Sequence, residues 1–314
     1  MYLFSAPFEF LEPEFRAELT RDNPLEFRLI NEEDELGFDE RVTCWIPNPG
    51  QRFTARASVL RAFPNLKLIS TPSTGSNHID RDFFAEKGVA VRSLLDNRPR
   101  LASIRASSEF TLLLVLSSLR KIRTAFLELD EKRWRHREEV MRGSEVIGQK
   151  VGIVGMGRNG SNVARWLTAM EADVRYFDPY KKEPPGKIDS IKQLFEESQI
   201  VILTVVLTNE TEGMVGRDLL ERLPLGAHLI NTSRGEIINE NELAVFLDER
   251  EDVSYAADVV TGEVDGRPFE SPLYELYLRN RVTLTPHIAG VSFGSQTKAA
   301  LGALENVRDF LKEV

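Results

Sequence analysis

Cysteine is nearly missing from this sequence. Cys44 is the one thiol in 314 residues, which excludes an internal disulfide and a multi-cysteine zinc site, so no metal site is expected. That usage fits a reducing compartment, and a cytoplasmic protein is expected. No apolar run approaches the length that crosses a bilayer. The opening residues, Met1 to Phe10, have no basic segment ahead of their apolar ones, and acids arrive quickly, so they do not read as a signal peptide. A positive excess is also lacking. The net charge of −9 argues against general nucleic-acid binding. Internal repeats and low-complexity segments are absent, and the chain holds only four histidines. What is present is ordinary for a globular protein, with 42% hydrophobic and 28% charged residues and a length that suits two domains.

The most informative stretch runs from Val151 to Gly160, Val-Gly-Ile-Val-Gly-Met-Gly-Arg-Asn-Gly. An apolar run reads as a buried strand, and Gly155, Gly157 and Gly160 follow at G-x-G-x-x-G spacing. Val163, Leu167 and Met170 then recur at helical period, and Asp173–Asp178 reads as a second strand. One glycine permits a tight turn, one lets the backbone approach a pyrophosphate, and one lets helix and strand pack closely. The helix start adds N–H groups and a partial positive charge. Gly155, Met156, Gly157, Arg158, Asn159 and Gly160 are therefore the expected cofactor loop. Asp178, at the tip of the second strand, can accept from the adenine ribose hydroxyls and repel a 2′-phosphate, which favours NAD over NADP. Lys181 and Lys182 follow and read as solvated lysines.

Residues 1–100 hold short apolar segments at Tyr2–Ser5, Val42–Ile46, Leu66–Ser70 and Val89–Val91, with helical patterns at Ala55–Phe63 and Asp80–Lys87, an α/β domain in its own right. Ile104 to Arg123 reads as one long, widely apolar helix, and the charged stretch Glu128–Arg142 as mostly solvated. From Val151 strand candidates recur at Val151–Val154, Val174–Phe177, Ile200–Val206, Ala227–Thr232, Ser254–Val260 and Val282–Thr285, with helical stretches between several of them. Such alternation predicts a parallel, doubly wound sheet, whose ligands bind beyond the carboxyl ends of the strands. Asp178, Arg234 and His287 each fall just after a strand, and Glu263 follows another by a few residues. One rim of one sheet is thus expected to carry all four.

A nicotinamide delivers a hydride and leaves a proton to be managed, a task suited to histidine near neutral pH. His228 lies inside a strand and reads as packed, His136 as solvated, and His78 as locally bonded in a polar turn. His287, in Leu-Thr-Pro-His-Ile-Ala-Gly, is the expected acid/base, with Glu263 able to bond its other ring nitrogen. Arg234, in Asn-Thr-Ser-Arg-Gly, offers a planar cation to a substrate carboxylate and a developing alkoxide.

Together these segments resemble the D-isomer-specific 2-hydroxyacid dehydrogenase family, which includes phosphoglycerate, lactate, glycerate/hydroxypyruvate and formate dehydrogenases. The resemblance runs from about Val59 onward. It is carried by Ser-Thr-Gly-Ser-Asn-His-Ile-Asp80, Ala-Ser-Ser-Glu109, Trp134, the glycine loop ending at Gly160, Ile-Asn-Thr-Ser-Arg-Gly235, Ala-Asp-Val259 and Leu-Thr-Pro-His-Ile-Ala-Gly290. It implies an α/β protein with a Rossmann-type doubly wound sheet at residues 102–288. A smaller flavodoxin-like substrate domain is implied at 1–101 and 289–314, with a C-terminal helix over Gln296–Leu311. It also implies Arg234 as the substrate cation, His287 as acid/base paired to Glu263, and Asp258 on the nicotinamide side. Thr232 and Ser233 join the expected cofactor set, and Ser73, Thr74, Gly75 and Ser76 are expected to offer N–H groups to the substrate carboxylate. Where the family reads Asp-Val-Phe-x-x-Glu-Pro, this chain reads Asp-Val-Val-Thr-Gly-Glu-Val. The stretch with Arg98, Arg100 and Arg105 reads as a basic loop, either solvated or facing a second anionic group of the substrate. The family's usual homodimer, built through Phe110–Val146, is expected, with a small 2-oxo or 2-hydroxy acid as the other partner. A non-enzymatic NAD(H) sensor of the corepressor type is the rival reading, and the lack of long disordered tails argues against it.

Overall fold

A computed structural model describes residues 1–7, 17, 24–181 and 185–313. Residues 8–10 of the opening segment and Lys182 lie outside the described residues. In chain order the elements begin with β1 (Tyr2–Phe4), β2 (Leu25–Phe27), β3 (Cys44–Ile46), α1 (Ala57–Ala62), β4 (Leu68–Ser70), α2 (Arg81–Glu86), β5 (Ala90–Arg92) and α3 (Arg98–Ala102). Next come α4 (Ala106–Leu119), α5 (Ile122–Asp130), α6 (Glu138–Met141), β6 (Lys150–Val154), α7 (Arg158–Ala169), β7 (Asp173–Phe177), α8 (Ile191–Glu197) and β8 (Ile200–Leu203). The remainder is α9 (Arg217–Leu220), β9 (His228–Asn231), α10 (Glu240–Glu249), β10 (Ser254–Ala257), α11 (Pro272–Leu278), β11 (Thr283–Leu284) and α12 (Phe293–Glu313).

The chain divides into two compact units. The first comprises residues 1–105, 264–267 and 291–314, and the second 106–263 and 268–290. Among the described residues of the first unit, five parallel strands take the order β2-β1-β3-β4-β5. Successive side chains of a strand point to opposite faces, and both faces here are apolar. Leu3, Trp45 and Ile69 pack with Val59, Phe63 and Phe84 on one side. Phe4, Ile46 and Leu68 pack on the other against Ala300, Ala303, Leu304 and Val307, which recur at helical spacing along α12. That helix is a few residues longer at each end than the sequence pattern indicates.

In the second unit six parallel strands take the order β11-β10-β9-β8-β6-β7. Ile200 and Ile202 of β8 face α4 and α7 through Leu114, Val115, Val163 and Leu167. Val201 and Leu203 face the opposite layer with Leu194, Leu220, Leu243 and Leu273. Strands buried on both faces read as continuous apolar runs, which is why they were legible as strands.

Three local readings change. The single helix expected over Ile104–Arg123 starts at Ala106 and stops at Leu119, and Lys121 takes a left-handed φ of 49° before α5 begins. The Ser144 N–H comes in to cap the Leu119 carbonyl at 3.0 Å, satisfying a helix end that an apolar pattern cannot reveal. In the charged stretch that follows, Glu128 is buried and accepts from Arg133 Nε at 2.6 Å, with Arg137 Nη1 at 3.4 Å. The basic segment at Arg98 is the short helix α3, with Asn97 accepting from the Arg100 N–H at 3.3 Å as its cap.

Candidate active site

β6 feeds its chain into a glycine turn at the place where the strand order reverses, between β6 and β8. In open α/β sheets this is where ligands sit. Gly155 has φ of +92°, and its N–H donates to the Phe177 carbonyl at 2.9 Å. Thr204, just past β8, donates its hydroxyl to the Gly155 carbonyl at 2.7 Å. A Cβ on Gly160 would overlap that same carbonyl oxygen, so α7 can seat on the turn only with glycine there. A Cβ on Gly157 would meet nothing within 4 Å, and no side chain caps α7 at this residue. The three glycines therefore serve backbone angle, close packing, and open room beside an uncapped helix N-terminus. Those are the requirements of a pyrophosphate, and NAD fits the loop. Met156 is buried within it, Arg158 is half-buried at the start of α7, and Asn159 Oδ1 accepts from Ser108 Oγ at 3.1 Å.

Asp178 directly follows β7 and spans the turn. Its Oδ2 accepts from the Met156 N–H at 2.8 Å and its Oδ1 from the Tyr180 N–H at 2.9 Å. The acid read from sequence as a ribose acceptor thus also fastens the glycine loop to the neighbouring strand. Tyr180 donates its hydroxyl to Glu210 Oε2 at 2.8 Å, and Lys181 is exposed.

At the end of β9, Asn231 organises the following turn. Its Oδ1 accepts from the Ser233 N–H at 3.0 Å and the Ser233 hydroxyl at 2.7 Å, and its amide donates to the Arg234 carbonyl at 2.9 Å. Thr232 and Thr111 share a hydroxyl contact of 2.7 Å. Arg234 is extended and half-buried, with Nη1 donating to the Ser233 carbonyl at 2.6 Å. A Cβ on Gly235 would overlap the backbone between Val260 and Thr261, so the arginine turn is pressed against the segment that follows β10.

That segment begins with Asp258, a fully buried carboxylate. Oδ1 accepts from the Thr285 hydroxyl at 2.5 Å and the Ile288 N–H at 2.9 Å, and Oδ2 from the Ala289 N–H at 2.7 Å. The His287 N–H donates to the Asp258 carbonyl at 2.9 Å. Burial pushes the Asp258 carboxyl up from its ordinary range, and the hydrogen bonds oppose that rise. The turn it holds gives His287 a left-handed φ of 53°, an uncommon backbone for a residue with a side chain. Nδ1 of His287 lies 2.9 Å from Glu263 Oε1, an ion-pair distance, though the ring N–H is not aligned for a hydrogen bond to that oxygen. The imidazole is 46% exposed and the glutamate side chain 12%. Glu263 therefore meets His287 despite the missing proline after it.

The other histidines separate cleanly. His228 contacts Ser118 Oγ through Nδ1 at 2.8 Å, and burial, aided by Lys121, lowers its pKa to about 4. His78 is buried in the first unit, 3.1 Å from Thr71 Oγ1 through Nε2, and His136 is exposed.

Glu240, at the start of α10, is a residue that sequence reasoning passes over. It is buried, accepts from the Thr261 N–H at 2.8 Å and from Ser271 Oγ at 2.6 Å, and so holds both ends of the excursion that carries Glu263. In the sequence it looks like any first-turn acid, since both partners lie far along the chain.

In the first unit, Ser73, Thr74, Gly75 and Ser76 form the turn after β4. Among the described residues no N–H of Thr74, Gly75, Ser76 or Asn77 donates to a protein group. Of the basic segment, Arg100 is engaged by Glu305 of α12, with Nε at 3.2 Å. Arg98 is exposed.

The model for the NAD-binding domain of D-isomer specific 2-hydroxyacid dehydrogenases matches residues 112–289, more than half of the chain. The glyoxylate reductase of Korarchaeum cryptofilum is 30% identical over 81% of this chain and 76% of its own length. The D-3-phosphoglycerate dehydrogenase of Mycobacterium tuberculosis is 29% identical over 81% of this chain, which spans only 47% of that protein. Among solved structures, Aquifex aeolicus D-lactate dehydrogenase complexed with NAD and lactic acid aligns with a TM-score of 0.80 at 24% identity, over 100% of this chain and 96% of the other, a likeness of fold. With its Rossmann-like second unit and fingerprint loop, the chain belongs to the D-isomer specific 2-hydroxyacid dehydrogenase family and is an NAD-dependent enzyme of it.

Proposed function

We propose that the chain interconverts a D-2-hydroxy acid and its 2-oxo acid, with His287 as the acid/base, Glu263 as its partner and Arg234 as the substrate cation. The observation that carries this reading is the His287 turn. A half-exposed imidazole stands on a left-handed backbone, with a carboxylate 2.9 Å from Nδ1. Glu263 at that nitrogen favours a proton on Nδ1 and leaves Nε2 to exchange one with substrate. In the oxidative direction Nε2 accepts the hydroxyl proton while the C2 hydride leaves; in reduction Nε2 returns a proton to the carbonyl oxygen. NAD bound at the glycine loop supplies the hydride acceptor. Arg234 holds the substrate carboxylate and stabilises charge on the reacting oxygen, a task for a planar fork of donors. Asp258 acts on the nicotinamide side through the turn it holds.

Residues 102–288 are assigned as the cofactor domain, and 1–101 with 289–314 as the substrate domain, where the N–H groups of Ser73–Ser76 receive the substrate carboxylate. Gly155–Gly160, Thr232 and Ser233 surround the cofactor, and Asp178 selects NAD. The family's homodimer through Phe110–Val146 is supported by the exposed apolar side chains of Phe126, Leu129 and Trp134, at 63%, 50% and 72%. The lone thiol supports a cytoplasmic setting. A small monocarboxylate such as glyoxylate is the favoured class, because Arg100 of the basic segment is already engaged by Glu305.

The test is NADH consumption with a panel of 2-oxo acids that includes glyoxylate, hydroxypyruvate and phosphohydroxypyruvate. Turnover with at least one of them, abolished in His287→Ala while NADH still binds, is the expected result. NADH binding without turnover on any 2-oxo acid would point instead to a cofactor sensor.

A further inference from the structure

In the first unit, a buried histidine is wired to the turn that follows β4. Ser73 Oγ lies 2.6 Å from the Gly75 carbonyl oxygen, Thr71 Oγ1 lies 2.8 Å from Ser73 Oγ, and His78 Nε2 lies 3.1 Å from Thr71 Oγ1. The direction of these bonds is forced. A carbonyl only accepts, so the single Ser73 hydroxyl proton goes to Gly75. Ser73 must then accept from Thr71, whose own proton is thereby used, and Thr71 must accept from His78. The imidazole consequently carries a proton on Nε2. Thr71 and His78 are both buried, so water does not compete for the bond between them, and that bond costs free energy to leave unmade; Ser73 and Gly75 are half-buried.

The end of the relay has a geometric effect. A trans peptide points its C=O and N–H in opposite directions. With the Gly75 carbonyl drawn toward Ser73, the N–H of the same peptide, on Ser76, is turned away from the relay. Among the described residues that N–H has no acceptor. The Ser73 carbonyl is itself fixed by the Leu94 N–H at 3.0 Å, and the Ser76 carbonyl by the Ile79 N–H at 2.9 Å, so the turn is held on both sides of the oriented peptide.

We infer that His78 is a positioning residue for anion recognition. Through Thr71 and Ser73 it locks the Gly75–Ser76 peptide with its N–H presented to the carboxylate of a 2-oxo acid. The inference rests on the assignment of this turn to the substrate carboxylate, and it adds the residue that sets the turn's orientation. It separates His78 from His287 in kind, since His78 moves no proton in the reaction and gives up none.

The experiment measures Kd for oxamate, an unreactive 2-oxo acid mimic, by titration calorimetry of the NADH-loaded protein, alongside KM and kcat for glyoxylate and a thermal melt. In His78→Ala, Ser73→Ala and Thr71→Val the oxamate Kd and glyoxylate KM should each rise about tenfold, with kcat changed less than threefold and NADH affinity unchanged. His78→Gln, which keeps an N–H donor at similar reach, should recover most of the loss. The His78→Ala/Ser73→Ala double variant should be no worse than either single one, because both break one chain. Should the His78 variant fail to fold, the two hydroxyl variants carry the test alone. Unchanged oxamate binding in folded variants, additive effects in the double variant, or no oxamate binding by the wild type would each overturn the relay. Failure of the wild type to consume NADH with any 2-oxo acid would overturn the proposed reaction instead, and is read in a separate assay.

Discussion

The two units of this protein are built on one strand order. Starting from the edge, the first runs β2-β1-β3-β4-β5 and the second β7-β6-β8-β9-β10-β11, all parallel, so among the described residues the second repeats the first and adds a strand. The turns beyond the strands are where they part. In the second unit the first central strand ends in three glycines, each answering a different steric demand, and β9 and β10 end in turns organised by Asn231 and Asp258. In the first unit the turn after β4 is held by hydroxyls and an imidazole, and it offers N–H groups in place of a helix start. On the proposed reading, a shared scaffold carries two different answers to anion binding, and chemistry follows the turns rather than the sheet.

If that contrast is right, the units should fail differently. The largest effect is expected in the second. His287→Ala should lower kcat by about two to four orders of magnitude, the usual worth of general acid–base catalysis, with NADH affinity intact. Arg234→Ala should cost about two to three orders, as for a lost transition-state donor. Arg234→Lys should cost less, because charge remains but the fork is gone. Near-normal turnover in either alanine variant would move the chemistry elsewhere.

The glycines allow a sharper division. Gly160→Ala places a methyl against the Gly155 carbonyl and should lower stability by about 1–3 kcal/mol along with NADH affinity. Gly157→Ala meets no protein atom and should melt like wild type while binding NADH poorly. Equal melting losses in both would show that the open room at Gly157 is not reserved for a ligand.

A pH titration of stability separates packing from catalysis. Burial lowers the His228 pKa to about 4, whereas an unfolded histidine titrates near 6.5. Between those values the unfolded chain binds the proton and the folded one does not, so stability is whole above about 6.5 and falls as pH drops toward 4. The loss should reach at most about 3 kcal/mol in chemical denaturation and be largely absent in His228→Gln. An unchanged slope in that variant would assign the acid sensitivity to other groups.

The smallest effect concerns cofactor choice. Asp178→Ala should weaken NADH about tenfold, roughly 1.4 kcal/mol, and narrow its advantage over NADPH. Asp178→Asn, which keeps an acceptor for the Met156 N–H, should separate the loss of charge from the loss of loop support. A wild type that prefers NADPH would remove Asp178 from the role of selector.

Much of this was legible in the sequence because its signals are local. The glycine loop, the apolar strands buried on both faces and the residues just past their ends are all written within a few positions of one another. The unreadable parts depend on distant partners or on very short elements. β2 is three residues beside Pro24, too short to show alternation. The helix broken at Lys121 keeps an apolar pattern through the break, and its end is capped by Ser144. Arg100 reads as a loop cation until Glu305, on the last helix, is placed against it. Glu240 and the relay from His78 were hidden for the same reason, since each needs the fold before its partners are known.

The buried carboxylate beneath His287 has a consequence for how this region breathes. The consecutive amides of His287, Ile288 and Ala289 all donate to Asp258, one to its carbonyl and two to its carboxylate. Their side chains do not bury them evenly, since Ile288 is 38% exposed and the imidazole 46%. Solvent-facing turns normally exchange amide hydrogens rapidly and one at a time. Here three neighbours should exchange slowly and at a common rate, set by the single event in which the turn as a whole opens, because the His287 N–H is shared between the Asp258 and Thr285 carbonyls. An isolated patch of coincident protection between residues 287 and 289 is then the solution signature of the histidine turn.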